Sequence, residues 1–214
     1  MVQRHSVHGR RVGMLCVVLT GLALSAASAD EGQDRKLEVT STTFTENGPL
    51  PDSVIYNFSF NGVNICTANG AAGGDQSPQL QWSHVPPNTR SFVVVLYDPT
   101  AAFTHWGMYN IASHVRALPE NAGAVGSTYG SQVNNDFADP SYDGPCPPAG
   151  VAPEAHHYVF TVYALDTELK LSTLPNFPAN AETLYHALID AGRDGHILAS
   201  GSLGTYFSST PSAN

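Results

Sequence analysis

The run Ser91-Phe92-Val93-Val94-Val95-Leu96-Tyr97 constrains the fold more than any other part of this chain. Its residues are β-branched, aromatic or otherwise apolar almost throughout, with no alternation that would leave one face for water. It is too short for a typical helix and stops at Asp98-Pro99, where proline removes a backbone donor. A run of this kind predicts a strand covered on both faces, with one layer above it and another below. His157 to Leu165 is a second run of the same kind. Two such strands predict a mainly β protein, a sandwich, with helix near the C-terminal end.

The flanking sequence fits that frame. Leu37 to Phe60 reads as short β segments divided by Asn47-Gly48-Pro49 and Leu50-Pro51-Asp52, both strong turn signals. Asn61 to Gly74 reads as an irregular Gly- and Asn-rich loop. Pro119 to Gly144 lacks hydrophobic periodicity and is expected to be a long functional or mobile loop. A helix is predicted after Asn180, which can cap it, with Glu182 in the first turn and Leu184, Leu188 and Ala191 on one face. Gly192 and Asp194-Gly195 interrupt it. His196 to Ala199 is expected to resume a short helix before Gly204-Thr205-Tyr206-Phe207 closes as a strand, and the tail from Ser208 to fray.

Residues 1–29 stand apart from the fold. Arg4, Arg10 and Arg11 precede the apolar stretch Val12–Leu24, and Ala27-Ser28-Ala29 has the small-residue pattern of a signal-peptidase site. The stretch is shorter than the roughly 20 apolar residues that span a bilayer, so an export signal is expected rather than a transmembrane segment. A buried N-terminal helix is the alternative. Cys16 lacks the preceding small residue that a lipoprotein signal needs. The remaining 185 residues, 30–214, suit a single domain.

Cleavage would remove three of the nine Lys and Arg but none of the 18 Asp and Glu, leaving a formal charge of −12. That balance disfavours nucleic acid and anionic membrane surfaces, so a bound anion would need local donors. Cys66 and Cys146 remain in the mature region. In an oxidising compartment they can pair, or each can be a separate buried thiol; neither belongs to a Cys-x-x-Cys pair of the kind that holds zinc.

Two junctions concentrate polar groups where an apolar run meets a proline turn. Asp98 precedes Pro99 and is therefore held extended, and His105 enters the next apolar run. Taken alone, Asp98 caps its own turn about as readily as it binds anything, and a lone His of this type is more often a core residue. Together, at adjacent strand ends, the carboxylate can hold one imidazole nitrogen and leave the other for a ligand. At the second junction Gly144 permits close backbone approach, Pro147 and Pro148 stiffen the turn, and His156 and Tyr158 share one face of a strand. His157 then faces the other way. Imidazolium, phenol and backbone N–H groups can hold a small oxyanion, more strongly at low pH. No cofactor motif, no Gly-x-Ser-x-Gly elbow and no His-Glu-x-x-His sequence is present. Binding is therefore expected rather than catalysis, the alternative being an acid–base or metal-dependent enzyme built on Asp98, His105 and His156.

These motifs resemble those of the phosphatidylethanolamine-binding protein family, in its bacterial Raf-kinase-inhibitor-like branch. Ser77-Pro78-Gln79-Leu80-Gln81-Trp82, Asp98-Pro99 with His105-Trp106, Gly144 to Pro148 with His156 and Tyr158, and Gly195-His196-Ile197-Leu198-Ala199 with Gly204-Thr205-Tyr206 occur in the family's order. The resemblance implies a two-sheet antiparallel sandwich. It also implies a small pocket for phosphate, phosphoethanolamine or a phospholipid head group, and a protein partner whose activity is modulated. By position it assigns Asp98, His105, His156 and Tyr158 to the pocket and Pro147 and Pro148 to its wall. The family's second motif Asp falls on Thr100 and its last Pro on Ala102, departures expected to alter the pocket rim.

Overall fold

The computed structural model describes Met1, residues 36–171 and residues 178–211. The segment expected to direct export lies, apart from Met1, outside the described residues. In chain order the strands are β1 Glu38–Thr40, β2 Ser59–Phe60, β3 Val63–Asn64, β4 Leu80–Ser83 and β5 Ser91–Asp98. They continue with β6 Phe103–Ala112, β7 Ala117–Leu118, β8 Ser131–Gln132 and β9 His156–Leu165. Helix α1, Ala181–Arg193, and β10, Ile197–Phe207, complete the order.

The apolar run of β5 lies at the centre of a five-stranded sheet ordered β10-β9-β5-β6-β8, and every pairing in it is antiparallel. A second sheet, β1-β4-β7, and the β2-β3 hairpin complete the β structure. The absence of alternation in β5 has the predicted cause. Phe92, Val94 and Leu96 pack into the core with Leu80 and Trp82 of the second sheet and with Trp106 and Phe160. Val93 and Val95 face the opposite way, onto Leu184 and Leu188 of α1. Each buried side chain of this size contributes about 1.5–3 kcal/mol relative to exposure. Gly107 of β6 lets the helix approach: a Cβ there would lie 2.7 Å from both Leu184 and Val133 side chains.

Helix α1 starts where Asn180 predicts. The Asn180 side chain accepts from the Thr183 N–H at 3.0 Å, and Thr183 Oγ1 accepts from the Asn180 N–H at 2.9 Å. Ala181, Leu184, Leu188 and Ala191 form its buried face.

Four local expectations give way. His196–Ala199 does not resume a helix, because Ile197 and Ala199 pair with Leu165 and Ala164, and the long β10 ladder outweighs one turn of local preference. Leu37–Phe60 is mostly irregular, holding only β1, the start of the hairpin and a 3₁₀ turn at Asp52–Val54. Of the two readings of Pro119–Gly144, functional or mobile, the mobile one gives way, because the segment is pinned. Gly123 N–H donates to Ser77 Oγ, β8 pairs with β6, and the Tyr142 hydroxyl donates to the Val54 carbonyl. The described tail is also held, since the buried Ser209 donates to the Cys66 carbonyl at 2.8 Å.

Candidate functional site

Because β5 runs between β6 and β9, one end of the sheet gathers the last residue of β5, the third of β6 and the first and third of β9. These are Asp98, His105, His156 and Tyr158. Asp98, His105 and Tyr158 are buried, and His156 is partly so. Asp98 Oδ1 accepts from the N–H groups of Thr100 and Ala101 at 2.8 and 3.1 Å, so the Asp-Pro turn and the site use the same carboxylate.

The imidazole held by Asp98 is that of His156, whose Nδ1 lies 2.6 Å from Asp98 Oδ2. The expected pairing with His105 does not form. His105 Nδ1 instead donates to the Asp143 carbonyl at 3.0 Å, because the pinned Pro119–Gly144 segment passes directly beside it. Burial then holds the His105 pKa down at about 4, against the opposing pull of the Asp143 carbonyl and the Asp98 charge. The ring is therefore neutral at neutral pH, with a proton on Nδ1 and a lone pair on Nε2. Burial, then the Asp98 charge, raises the Tyr158 phenol, which stays a hydrogen-bond donor. The arrangement thus offers an acceptor at His105 as well as donors, which a simple oxyanion receptacle would not need.

Sequence reasoning missed the surroundings. Phe103 packs 4.9 Å from the His105 ring, Phe137 contacts both at 4.7 and 5.7 Å, and Tyr56 stacks on Phe137 at 4.9 Å. Phe103 could be found, since it lies two residues before His105 on one strand face. Phe137 and Tyr56 carry no such signal. Asn135 is a hub: its side chain donates to the His105 and Ser141 carbonyls and to Asp143, and accepts from Phe137 N–H. Asp75 accepts from Gly144 N–H at 2.8 Å, and burial with the Asp143 and Asp139 charges raises its pKa to about 6.

The second junction holds some surprises. Gly144 closes on the chain itself, not on an open space, for a Cβ there would run into the Val54 carbonyl. Cys146 is joined to Cys66, which ties this turn to the base of the β2-β3 hairpin. Pro147 is buried and Pro148 exposed. His157 stacks on Tyr206 at 4.5 Å, away from the cluster. Thr100 Oγ1 accepts from the His157 N–H at 2.9 Å and so braces β9 against the turn. Ala102 has φ +53°, a conformation closed to proline, so the family's last motif Pro would not fit at this position in this backbone. Among the described residues no three His, Cys, Asp or Glu side chains converge to hold a metal ion, and no helix is long and apolar enough to cross a membrane.

Comparison with known proteins agrees with this fold. The family profile described as phosphatidylethanolamine-binding protein matches residues 40–208. The UPF0098 protein YbcL of Escherichia coli is 38% identical over 160 residues, covering 71% of this chain and 79% of that protein. A UPF0098 protein of Aquifex aeolicus is 39% identical over 137 residues, covering 62% and 78%. The crystal structure of E. coli YbcL, described as a new member of the mammalian PEBP family, matches with a TM-score of 0.63 at 30% identity. It covers 81% of this chain and 98% of that one. The Chlamydia trachomatis PEBP homolog CT736 matches with a TM-score of 0.58 at 26% identity, covering 82% and 99%. The chain belongs to the phosphatidylethanolamine-binding protein family.

Proposed function

We propose that this chain is an exported binding protein whose Asp98–His105–His156–Tyr158 cluster takes a small phosphate-bearing ligand, with a phosphoethanolamine-type head group as its preferred form. It acts by holding that ligand or by modulating a partner protein, without turnover. The observation that carries this reading is the 2.6 Å contact between Asp98 and His156 Nδ1, which fixes the ring and leaves Nε2 as the group facing a ligand. Tyr158 adds a donor, while neutral His105 adds an acceptor suited to a protonated oxygen or an ammonium. A ligand carrying both phosphate and amine satisfies such a mixed set better than a bare oxyanion does. The Cys66–Cys146 bond leaves neither cysteine as a thiol nucleophile, which favours binding over catalysis, and the signal-like N-terminus favours export.

Calorimetric titration of phosphoethanolamine and of inorganic phosphate tests the reading. Wild type should bind phosphoethanolamine more tightly, and His156→Ala should lose roughly tenfold or more, the loss of one charge-assisted hydrogen bond. Equal affinity in wild type and variant would sink the site. Phosphoester turnover abolished by His105→Ala would make the protein an enzyme instead.

A further inference from the structure

The β2-β3 hairpin is built inside out. Asn61 and Gly62, at φ +50° and +80°, form a two-residue turn, and Phe60 faces Val63 across it. Ile65 N–H donates to the Phe58 carbonyl, so Phe58 and Ile65 form the next pair on the same face. All four of these apolar side chains are exposed, Phe60 by 63% and Val63 by 52%. The opposite face carries Asn64, which is only 3% exposed and donates to the Tyr56 carbonyl and Asn57 Oδ1. The face that carries Asn64 is thus turned inward at that residue, with Ser59 opposite it still exposed, while the apolar face is outward throughout.

This face is continuous with the candidate site. Phe58 stacks on Tyr56 at 6.5 Å, Tyr56 on Phe137, Phe137 on Phe103 and His105, and His105 meets Tyr158 edge-on at 5.3 Å. The Cys66–Cys146 bond fastens the hairpin base to the turn beside that site. Both linked segments lack charge: residues 53–74 and 144–153 contain no Asp, Glu, Lys or Arg, in a chain with 18 acidic and nine basic residues.

We infer that the hairpin face seats the protein on the surface of an uncharged, zwitterionic phospholipid bilayer, so that the neighbouring site engages a head group still in the membrane. The inference rests on the head-group reading above. A stable protein partner would need on the order of 800 Å² of complementary surface on each side, more than this short ribbon offers. Binding at a membrane interface scales with the apolar area buried there, and does not need the area of a protein–protein interface. The acidic balance of the whole chain opposes an anionic bilayer, which leaves a zwitterionic one.

The test uses vesicles of phosphatidylcholine and phosphatidylethanolamine in equal parts, with soluble glycerophosphoethanolamine as a parallel arm. Wild type should co-sediment with the vesicles. Phe58→Ser/Phe60→Ser should partition roughly tenfold less or weaker still, from the lost apolar contact, while binding glycerophosphoethanolamine as wild type does. Replacing part of the lipid with phosphatidylserine should weaken wild-type binding at low salt. Vesicle binding unaffected by the double substitution overturns the inference. So does a wild type that binds glycerophosphoethanolamine but ignores vesicles, in which case the head-group reading survives. A protein that binds neither loses both. If the substitutions instead abolish a dimer in sedimentation velocity while vesicles are ignored, the face is a self-association surface and the membrane assignment fails.

Discussion

Strand β9 has an Asp–His pair at each end, similar in length and set in different surroundings. At its start His156 Nδ1 lies 2.6 Å from Asp98; just past its end Asp166 lies 2.8 Å from His196 Nδ1. Side-chain exposure is 12% and 2% in the first pair but 45% and 36% in the second. Coulomb attraction at a given separation grows as the effective dielectric falls, while the penalty for leaving a charge unpaired grows with it. The first pair therefore holds its partners as a unit. The second is a surface contact between groups that water can serve equally well.

Breaking the first pair should have the largest effect. Asp98→Ala removes the partner of His156 and the acceptor for two backbone N–H groups, and should cost about 3–5 kcal/mol in urea denaturation. His156→Ala, which strands the Asp98 carboxylate, should cost nearly as much. The double variant should be less damaging than the two losses added together. A coupling below about 0.5 kcal/mol would mean that the pair does not act as a unit and that the comparison fails.

Acid sharpens the contrast at the site end, because two groups there oppose each other. His105 has a folded pKa near 4, below the ordinary 6.5, so the unfolded chain binds its proton first. Its contribution is intact above about pH 6.5 and is lost as pH falls toward 4, by about 3 kcal/mol in all. Asp75, with a folded pKa near 6 against an ordinary 3.8, runs the other way, losing stability as pH rises between those values. In the shared window the two slopes offset each other. Asp75→Asn keeps an acceptor for Gly144 N–H while removing the charge. It should be stabilising at pH 7, by about 1 kcal/mol after allowing for partial exposure, and should steepen the loss of stability below pH 6. Urea midpoints at pH 4.5 and pH 7 check this; an unchanged slope would mean that Asp75 does not mask His105.

What the sequence makes legible follows the same divide between local and assembled features. The β5 run is readable because an unbroken apolar strand has one remedy, a layer on each face. The helix is readable because Asn180 and the Leu184–Leu188–Ala191 spacing agree. Asp98, His105, His156 and Tyr158 are readable as strand-end residues beside prolines. The partner of Asp98 is not, since both histidines sit one strand away and the choice is made by the Asp143 carbonyl. That carbonyl belongs to a segment ordered by Asn135, Tyr142 and Gly123 through hydrogen bonds, which leave no hydrophobic period to find. Phe137 is hidden for the same reason. His196–Ala199 misleads because four residues state a weak preference that an eleven-residue strand overrides.

The smallest effect belongs to the far pair, and it is the sharpest check on the comparison. The Asp166 and His196 backbones are joined independently of their side chains, through Asp166 N–H donating to the His196 carbonyl at 3.1 Å. Alanine at either position should leave β9 and β10 in register and cost about 0–1 kcal/mol. The remaining coupling should vanish in 1 M salt, where the screening length is about 3 Å, because both groups are open to ions. The Asp98–His156 coupling should persist in the same salt, since its carboxylate is out of reach of solvent. If both couplings fade together, or both persist, burial is not what separates the two pairs, and the special standing of the site-end pair would have to come from its two backbone donors alone.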